Sequence, residues 1–329
     1  MNCASVSRAR RWSLPAAISA LVLAFLFTFA DREAFVRVAA HLSWPALLLG
    51  ILLLPGEGLT TAFRLRQLAP AGTGMRSCLA VTGRWVAALA LLPARLGELY
   101  GLHLLSRRLG QPFGESLNNL FVQRLFDAIV LALLGVVALV FADARQGQPQ
   151  LMCVLLALAA TLMLIAWRLP WCFACVAVSC RRWRRHGVGR TLLRAALHGR
   201  RGARATVRGR QPLALALSSA IKWLCNLGGI VTLMLGTAPV LHAGSAGALA
   251  IIGNLAAVLP LSGLGGVGLS DLTLAGGLAW YGLDTASIAA TTLYVRVLLL
   301  AAPLLFALLV VLSEQLWPHP PRPVLARTG

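Results

Sequence analysis

Apolar runs of about twenty residues recur along the whole chain and constrain it more than any other feature. A helix needs roughly 20 predominantly apolar residues to cross the hydrocarbon core of a bilayer. Leu14–Ala30, Trp44–Phe63, Leu120–Phe141, Leu151–Ala166, Leu213–Leu235 and Ile288–Leu312 are the candidates. Of the 329 residues, 58% are apolar and 12% charged. Soluble domains run nearer half and a quarter, so lipid is the solvent this composition suits. No stretch of about 80 residues, the size of a small domain, reads as a separate soluble unit. The expectation is an all-α polytopic transmembrane helical bundle, with residues 1–329 forming a single integral membrane domain.

Charge orients the bundle. The net charge is +20, a value that in a soluble chain would suggest nucleic acid. Here the basic residues sit between apolar runs, as the positive-inside rule predicts, so no nucleic-acid partner is expected. Arg8, Arg10 and Arg11 precede Leu14–Ala30. Thr28 and Ala30 imitate a signal-peptide cleavage site, yet the run is long, and it reads as a retained first helix with a cytoplasmic N-terminus. Arg64, Arg66 and Arg76 follow the second run without an acid among them and mark an inside loop. Asp31–His41 mixes both signs and Asp143–Pro149 is short and balanced, which suits the outside. Residues 181–210 hold eleven arginines and no acid, and are expected to form a cytoplasmic basic loop. A surface-lying helix near Thr191–His198 inside it would bind anionic lipid; a solvated loop that only fixes topology is the alternative. Lys222, the only lysine, is expected to snorkel to the interface.

Two regions fit poorly as simple spans. Ser77–Leu105 is interrupted by Arg84, Pro93, Arg95, Gly97 and Glu98; Gly244–Tyr281 by Pro260, Gly263, Gly265, Gly266 and Gly268. Broken or re-entrant helices persist in membranes only where protein or a polar cavity satisfies their backbone. The two regions also resemble each other. Leu92-Pro93, Gly97-Glu98, Gly110 and Arg124 are echoed by Leu259-Pro260, Ser270-Asp271, Gly282 and Arg296. Glycine leads arginine by 14 residues in both, and acid leads arginine by 26 and 25. An inverted repeat with two broken or re-entrant helix pairs would produce that pattern, the plan of many transporters.

Charges inside apolar sequence cost at least ~2.5–3.5 kcal/mol each at the bilayer centre and mark function by default. Glu98, Arg124, Asp127, Asp271 and Arg296 are therefore the candidate substrate-path residues. Arg124 and Asp127 lie three apart on one helix face and can pair. Arg296 needs a partner from elsewhere, with Asp271 or Glu98 the candidates. Such groups could equally serve only to hold helices together. As a headgroup path, arginines would attract phosphate and carboxylates would offset an amine or relay protons.

No residue set reads as catalytic, and no metal site or cofactor is expected. Gly263–Gly268 matches GxGxxG but follows no strand. Ser270 lacks a histidine base, the only later one being His319. Cys172 and Cys175 form a single CxxC with no second pair, and the seven cysteines read as small packing residues.

Pro93-Ala94-Arg95-Leu96-Gly97-Glu98, Gln123-Arg124-Leu125-Phe126-Asp127 and Pro260…Gly265-Gly266…Asp271…Arg296 together resemble the lysylphosphatidylglycerol synthase transmembrane-domain family. The likeness runs from the first helix to the last. It implies a flippase-like lipid module, followed in full-length synthases by a soluble aminoacyltransferase and standing alone in members that accompany hopanoid or glycolipid pathways. The 329 residues leave no room for the aminoacyltransferase, so synthase activity is not expected. Gln123 stands where the pattern has Glu, Gly101 where it has Arg, and Asp271 where it has Glu. The resemblance thus implies a lipid or glycolipid flippase of the bacterial inner membrane, with Glu98, Arg124, Asp127, Asp271 and Arg296 carrying the path. Its partners would be membrane lipids with anionic or amine headgroups and a lipid-pathway enzyme. A membrane-embedded lipid-modifying enzyme and an anchor subunit for such an enzyme are the rival readings.

Overall fold

A computed structural model describes residues 24, 28, 32–40, 42–92, 96–141, 149–182, 187–206, 209–238, 241–257 and 268–316. They form eleven helices and, among the described residues, no strand. In chain order these are α1 (Arg32–Ala40), α2 (Trp44–Leu68), α3 (Met75–Leu91), α4 (Leu96–Leu109), α5 (Phe113–Phe141) and α6 (Pro149–Arg181). There follow α7 (Gly187–Thr206), α8 (Gln211–Thr237), α9 (Ala243–Ala257), α10 (Leu269–Trp280) and α11 (Thr285–Leu316). Five of them, α2, α5, α6, α8 and α11, contain segments long and apolar enough to cross a bilayer. Large apolar side chains such as Leu48, Leu52, Val137 and Leu164 point outward, as lipid-facing surfaces require. The chain is a multi-pass α-helical membrane protein.

Several sequence expectations shift at the helix ends. Leu14–Ala30 lies outside the described residues except for Ala24 and Thr28. The mixed-charge connection expected at Asp31–His41 is largely helical: α1 packs Ala34 and Val38 against Ala290 of α11, and Phe35 stacks on Tyr294 at 4.5 Å. Helix α2 does not stop at Phe63 but runs to Leu68, which carries Arg64 and Arg66 inside a helix instead of a loop. The basic segment is not a loop either. Its helix spans Gly187–Thr206, well beyond Thr191–His198.

The two irregular regions form two pairs of short helices, α3–α4 and α9–α10, of 17, 14, 15 and 12 residues. Each helix is shorter than the roughly 20 residues that one crossing takes. The breaking residues themselves, Pro93, Arg95, Pro260, Gly263, Gly265 and Gly266, lie outside the described residues. Each pair sits between two long helices, so α2–α5 and α8–α11 follow one plan: long, short, short, long.

Packing repeats the plan with the halves exchanged. Helix α3 packs on α11 as α9 packs on α5; α2 touches α11 as α8 touches α5; α1 lies on α11 as α7 lies on α5. Helices α2 and α8 form the largest contact between halves, and they run antiparallel. Ser43 N–H donates to the Gly236 carbonyl at one end, and the Gln211 amide donates to the Gln67 carbonyl at the other. Between these ends, Gly50 meets Leu233 and Gly229 meets Leu54, each so closely that an added Cβ would fall 2.8 Å from the leucine. Small residues permit this approach, which gives dispersion contact where lipid removes the hydrophobic drive between helices. Exchanged contacts together with an antiparallel α2 and α8 are the pattern that an inverted repeat produces.

Candidate functional site

Both acids of the expected path occupy the third position of a short helix, Glu98 in α4 and Asp271 in α10. Both arginines occupy the twelfth position of the long helix that follows, Arg124 in α5 and Arg296 in α11. At 1.5 Å per residue, each arginine lies about 17 Å from its helix start. The structure joins them pairwise: Arg124 Nη2 stands 2.8 Å from Glu98 Oε1, and Arg296 Nη1 stands 3.6 Å from Asp271 Oδ1. Asp271 also accepts the Gly268 backbone N–H at 2.9 Å, so the same carboxylate satisfies the start of α10.

Asp127 takes other partners. The sequence allows it to pair with Arg124 across one turn, but Arg124 turns to Glu98 while Asp127 is buried against α2 and α8. Arg64 of α2 ion-pairs with its Oδ1 and also donates to Oδ2 at 3.4 Å. The Arg64 guanidinium further donates to Ser219 Oγ at 2.7 Å and Gln123 Oε1 at 3.2 Å. Lys222 of α8 donates to Asp127 Oδ2 at 2.8 Å and lies 3.5 Å from Glu57 Oε1. Asn226 then donates to Glu57 Oε2 at 2.8 Å. The expected snorkelling of Lys222 does not occur; it is 5% exposed, because two carboxylates of the bundle supply what water would have supplied. Arg64, placed by the sequence in an inside loop, is 2% exposed.

The group is charge-balanced, with Arg64, Arg124, Lys222 and Arg296 facing Glu57, Glu98, Asp127 and Asp271. Three cavities string along it. One of about 50 Å³ is lined by Glu57, Arg64, Arg124, Asp127 and Lys222. A second of about 220 Å³ shares Glu57 and adds Asn226 and Arg296. A third of about 230 Å³ shares Arg296 and adds Asn254, Ser270 and Asp271. Neighbouring cavities thus share a charged residue, Glu57 between the first and second and Arg296 between the second and third.

The chain matches the profile of the family described as Lysylphosphatidylglycerol synthase TM region over residues 12–307. It belongs to that family. No curated protein and no solved structure matches it. The matched residues of this lysylphosphatidylglycerol synthase TM region include all five expected path residues. They also include three that sequence reasoning did not select, Glu57, Arg64 and Lys222. Glu57 carried a usable signal, a lone acid within the apolar run Trp44–Phe63. Arg64 and Lys222 sit at the edges of apolar runs, where a basic residue is ordinarily interfacial. Gln123, Ser219 and Asn226 gave no signal, since uncharged polar residues in spans are common.

Proposed function

We propose that this protein moves a lipid or glycolipid headgroup between the leaflets of the bacterial inner membrane. One observation carries the reading: of two equivalent acid–arginine pairs, one per half, Arg124, Arg296 and Asp271 line neighbouring cavities that share Glu57 and Arg296. An arginine held by one carboxylate can exchange it for a headgroup phosphate, because its planar fork binds either oxyanion bidentately. The freed carboxylate can then offset an amine or take a proton. Acyl chains stay in the bilayer while the headgroup passes from Arg124 by Glu57 and Asn226 to Arg296. Inverted halves suit this task, since a site at their interface can open toward either side. The N-terminus is cytoplasmic in this reading, in keeping with Arg8, Arg10 and Arg11 and with the basic helix α7.

The test is headgroup movement in liposomes of purified full-length protein, with a panel of fluorescently labelled phospholipids and glycolipids under pH and voltage gradients. Glu98→Gln, Arg124→Ala and Arg296→Ala are expected to slow transport at least about tenfold with detergent melting curves still cooperative, a tenfold rate being about 1.4 kcal/mol. Movement of no lipid by the native protein would sink the reading and favour an enzyme or an anchor subunit. Transport that survives all three substitutions would place the path elsewhere.

A further inference from the structure

A fourth cavity, of about 250 Å³, lies away from the buried charges, between α5, α6, the end of α7 and the start of α8. Phe126, Met163, Ala166, Trp167, Thr206 and Pro212 line it. Its one polar side chain is already satisfied, since Thr206 Oγ1 donates to the Ala203 carbonyl at 2.9 Å. The interior therefore asks for hydrocarbon. Trp167 forms one wall and is 63% exposed on the outer surface of the bundle, so the cleft opens toward lipid. Thr206 ends α7 and Pro212 belongs to the first turn of α8, which sets the mouth at the level where helices enter the membrane.

The mouth is basic. Arg168 holds its guanidinium over the Trp167 ring at 5.4 Å, Arg204 precedes Thr206 by two residues, and Arg210 precedes Pro212 by two. All three are exposed, and none forms a salt bridge among the described residues. No acid occurs between Met163 and Pro212. On the adjoining helix α5, Asp127 is taken by Arg64 and Lys222, and Glu115 faces His198 at 3.6 Å. Helix α7 presses Ala196, Gly199 and Ala203 inward and leaves Leu192 and Leu197 exposed beside arginines, as a helix lying in the headgroup layer does. Counter-charge for this rim must therefore come from outside the bundle.

We propose that this cleft is a binding site for one anionic phospholipid, separate from the polar cavities. One acyl chain fills the apolar cleft along Phe126, Met163 and Trp167, and the phosphate meets Arg168, Arg204 and Arg210. Arginine suits the role because its donors pair bidentately with phosphate, while the apolar wall supplies affinity that a free phosphate would not gain.

Native mass spectrometry of the full-length protein, exchanged into phosphatidylglycerol or phosphatidylcholine with identical chains, tests this without any transport readout. The native protein is expected to retain phosphatidylglycerol about tenfold over phosphatidylcholine. Arg168→Gln, Arg204→Gln and Arg210→Gln combined should erase the preference, and Ala166→Phe should reduce retention of both. Glycerophosphoglycerol, which has the headgroup without chains, should not be retained. A second measurement stands even if the variants unfold. Phosphatidylglycerol with brominated chains should quench the Trp167 fluorescence, read as the difference from Trp167→Phe. Equal retention of the two lipids by the native protein, retention of glycerophosphoglycerol, or an unquenched Trp167 would overturn the proposal.

Discussion

In the first half of the molecule Arg124 meets Glu98 at 2.8 Å, and in the second Arg296 meets Asp271 at 3.6 Å. The shorter aspartate reaches less far, and the surroundings differ more than the distances do. Arg124's side chain is 41% exposed and Arg296's is 11%. On α5 the residues flanking the arginine's face are Gln123 and Asp127; in the same register on α11 stand Val295 and Leu299. The acid–arginine pair thus belongs to the repeat, whereas the knot of Arg64, Asp127 and Lys222 is a single feature that joins α2 and α5 of the first half to α8 of the second. A symmetric element can serve both faces of a membrane in turn. An asymmetric one is better suited to fastening, and this one ties α2, α5 and α8 together.

The largest effect should follow from cutting the knot. Asp127→Asn leaves two buried cations with one carboxylate fewer, and breaking a buried pair costs about 3–5 kcal/mol. Chemical unfolding in detergent should register that loss, and a double-mutant cycle with Arg64→Met should show strong coupling between the two sites. Independent effects would mean that the two residues do not act as a unit.

The next test contrasts the two pairs. Asp271→Asn removes a charged partner of a nearly buried arginine and weakens the carboxylate bond to the Gly268 N–H, so a loss on the order of 2 kcal/mol is expected. Glu98→Gln frees an arginine whose side chain is 41% exposed, so its cost should stay below about 1 kcal/mol. Melting of the two variants side by side measures the difference, and equal losses would erase the distinction drawn from exposure.

The smallest effect lies at the starts of α5 and α11. In the register that aligns Arg124 with Arg296, Pro112 stands opposite Asp284. Asp284 Oδ2 accepts the Ser287 N–H at 3.0 Å, and this hydrogen bonding holds its carboxyl below the usual range. A depressed folded value means that the stabilisation is complete above the unfolded pKa near 4 and disappears as pH falls through the folded value. Asp284→Ala should cost at most about 1 kcal/mol at neutral pH and nothing in strong acid. A variant whose deficit persists unchanged in acid would show that the cap is not the cause.

Much of the site was legible because charge in apolar sequence is expensive, so each such residue announces itself. Glu98, Arg124, Asp271 and Arg296 were found that way, and their matched spacing already suggested two similar regions. The partner of Arg296 was left between two acids, since spacing gives depth along a helix but not which helix lies opposite. The partners of Arg124 and Asp127 were missed for the same reason. Neighbours three apart can pair, but stronger partners on α4, α2 and α8 took each of them.

By itself, the sequence determined that this chain is helical and crosses a membrane several times, because run length and apolarity are properties of the segment alone. It also suggested a repeat, because the same plan written twice leaves the same spacings. Only the tertiary structure decided that α2 and α8 run antiparallel in close contact, that Arg64 and Lys222 are buried, and that three cavities lie beside the same charged residues. The cause is the burial of charge. Whether a basic residue at the edge of a span turns outward to water or inward to a carboxylate depends on what its neighbours offer. Those neighbours come from helices more than fifty residues away in the chain.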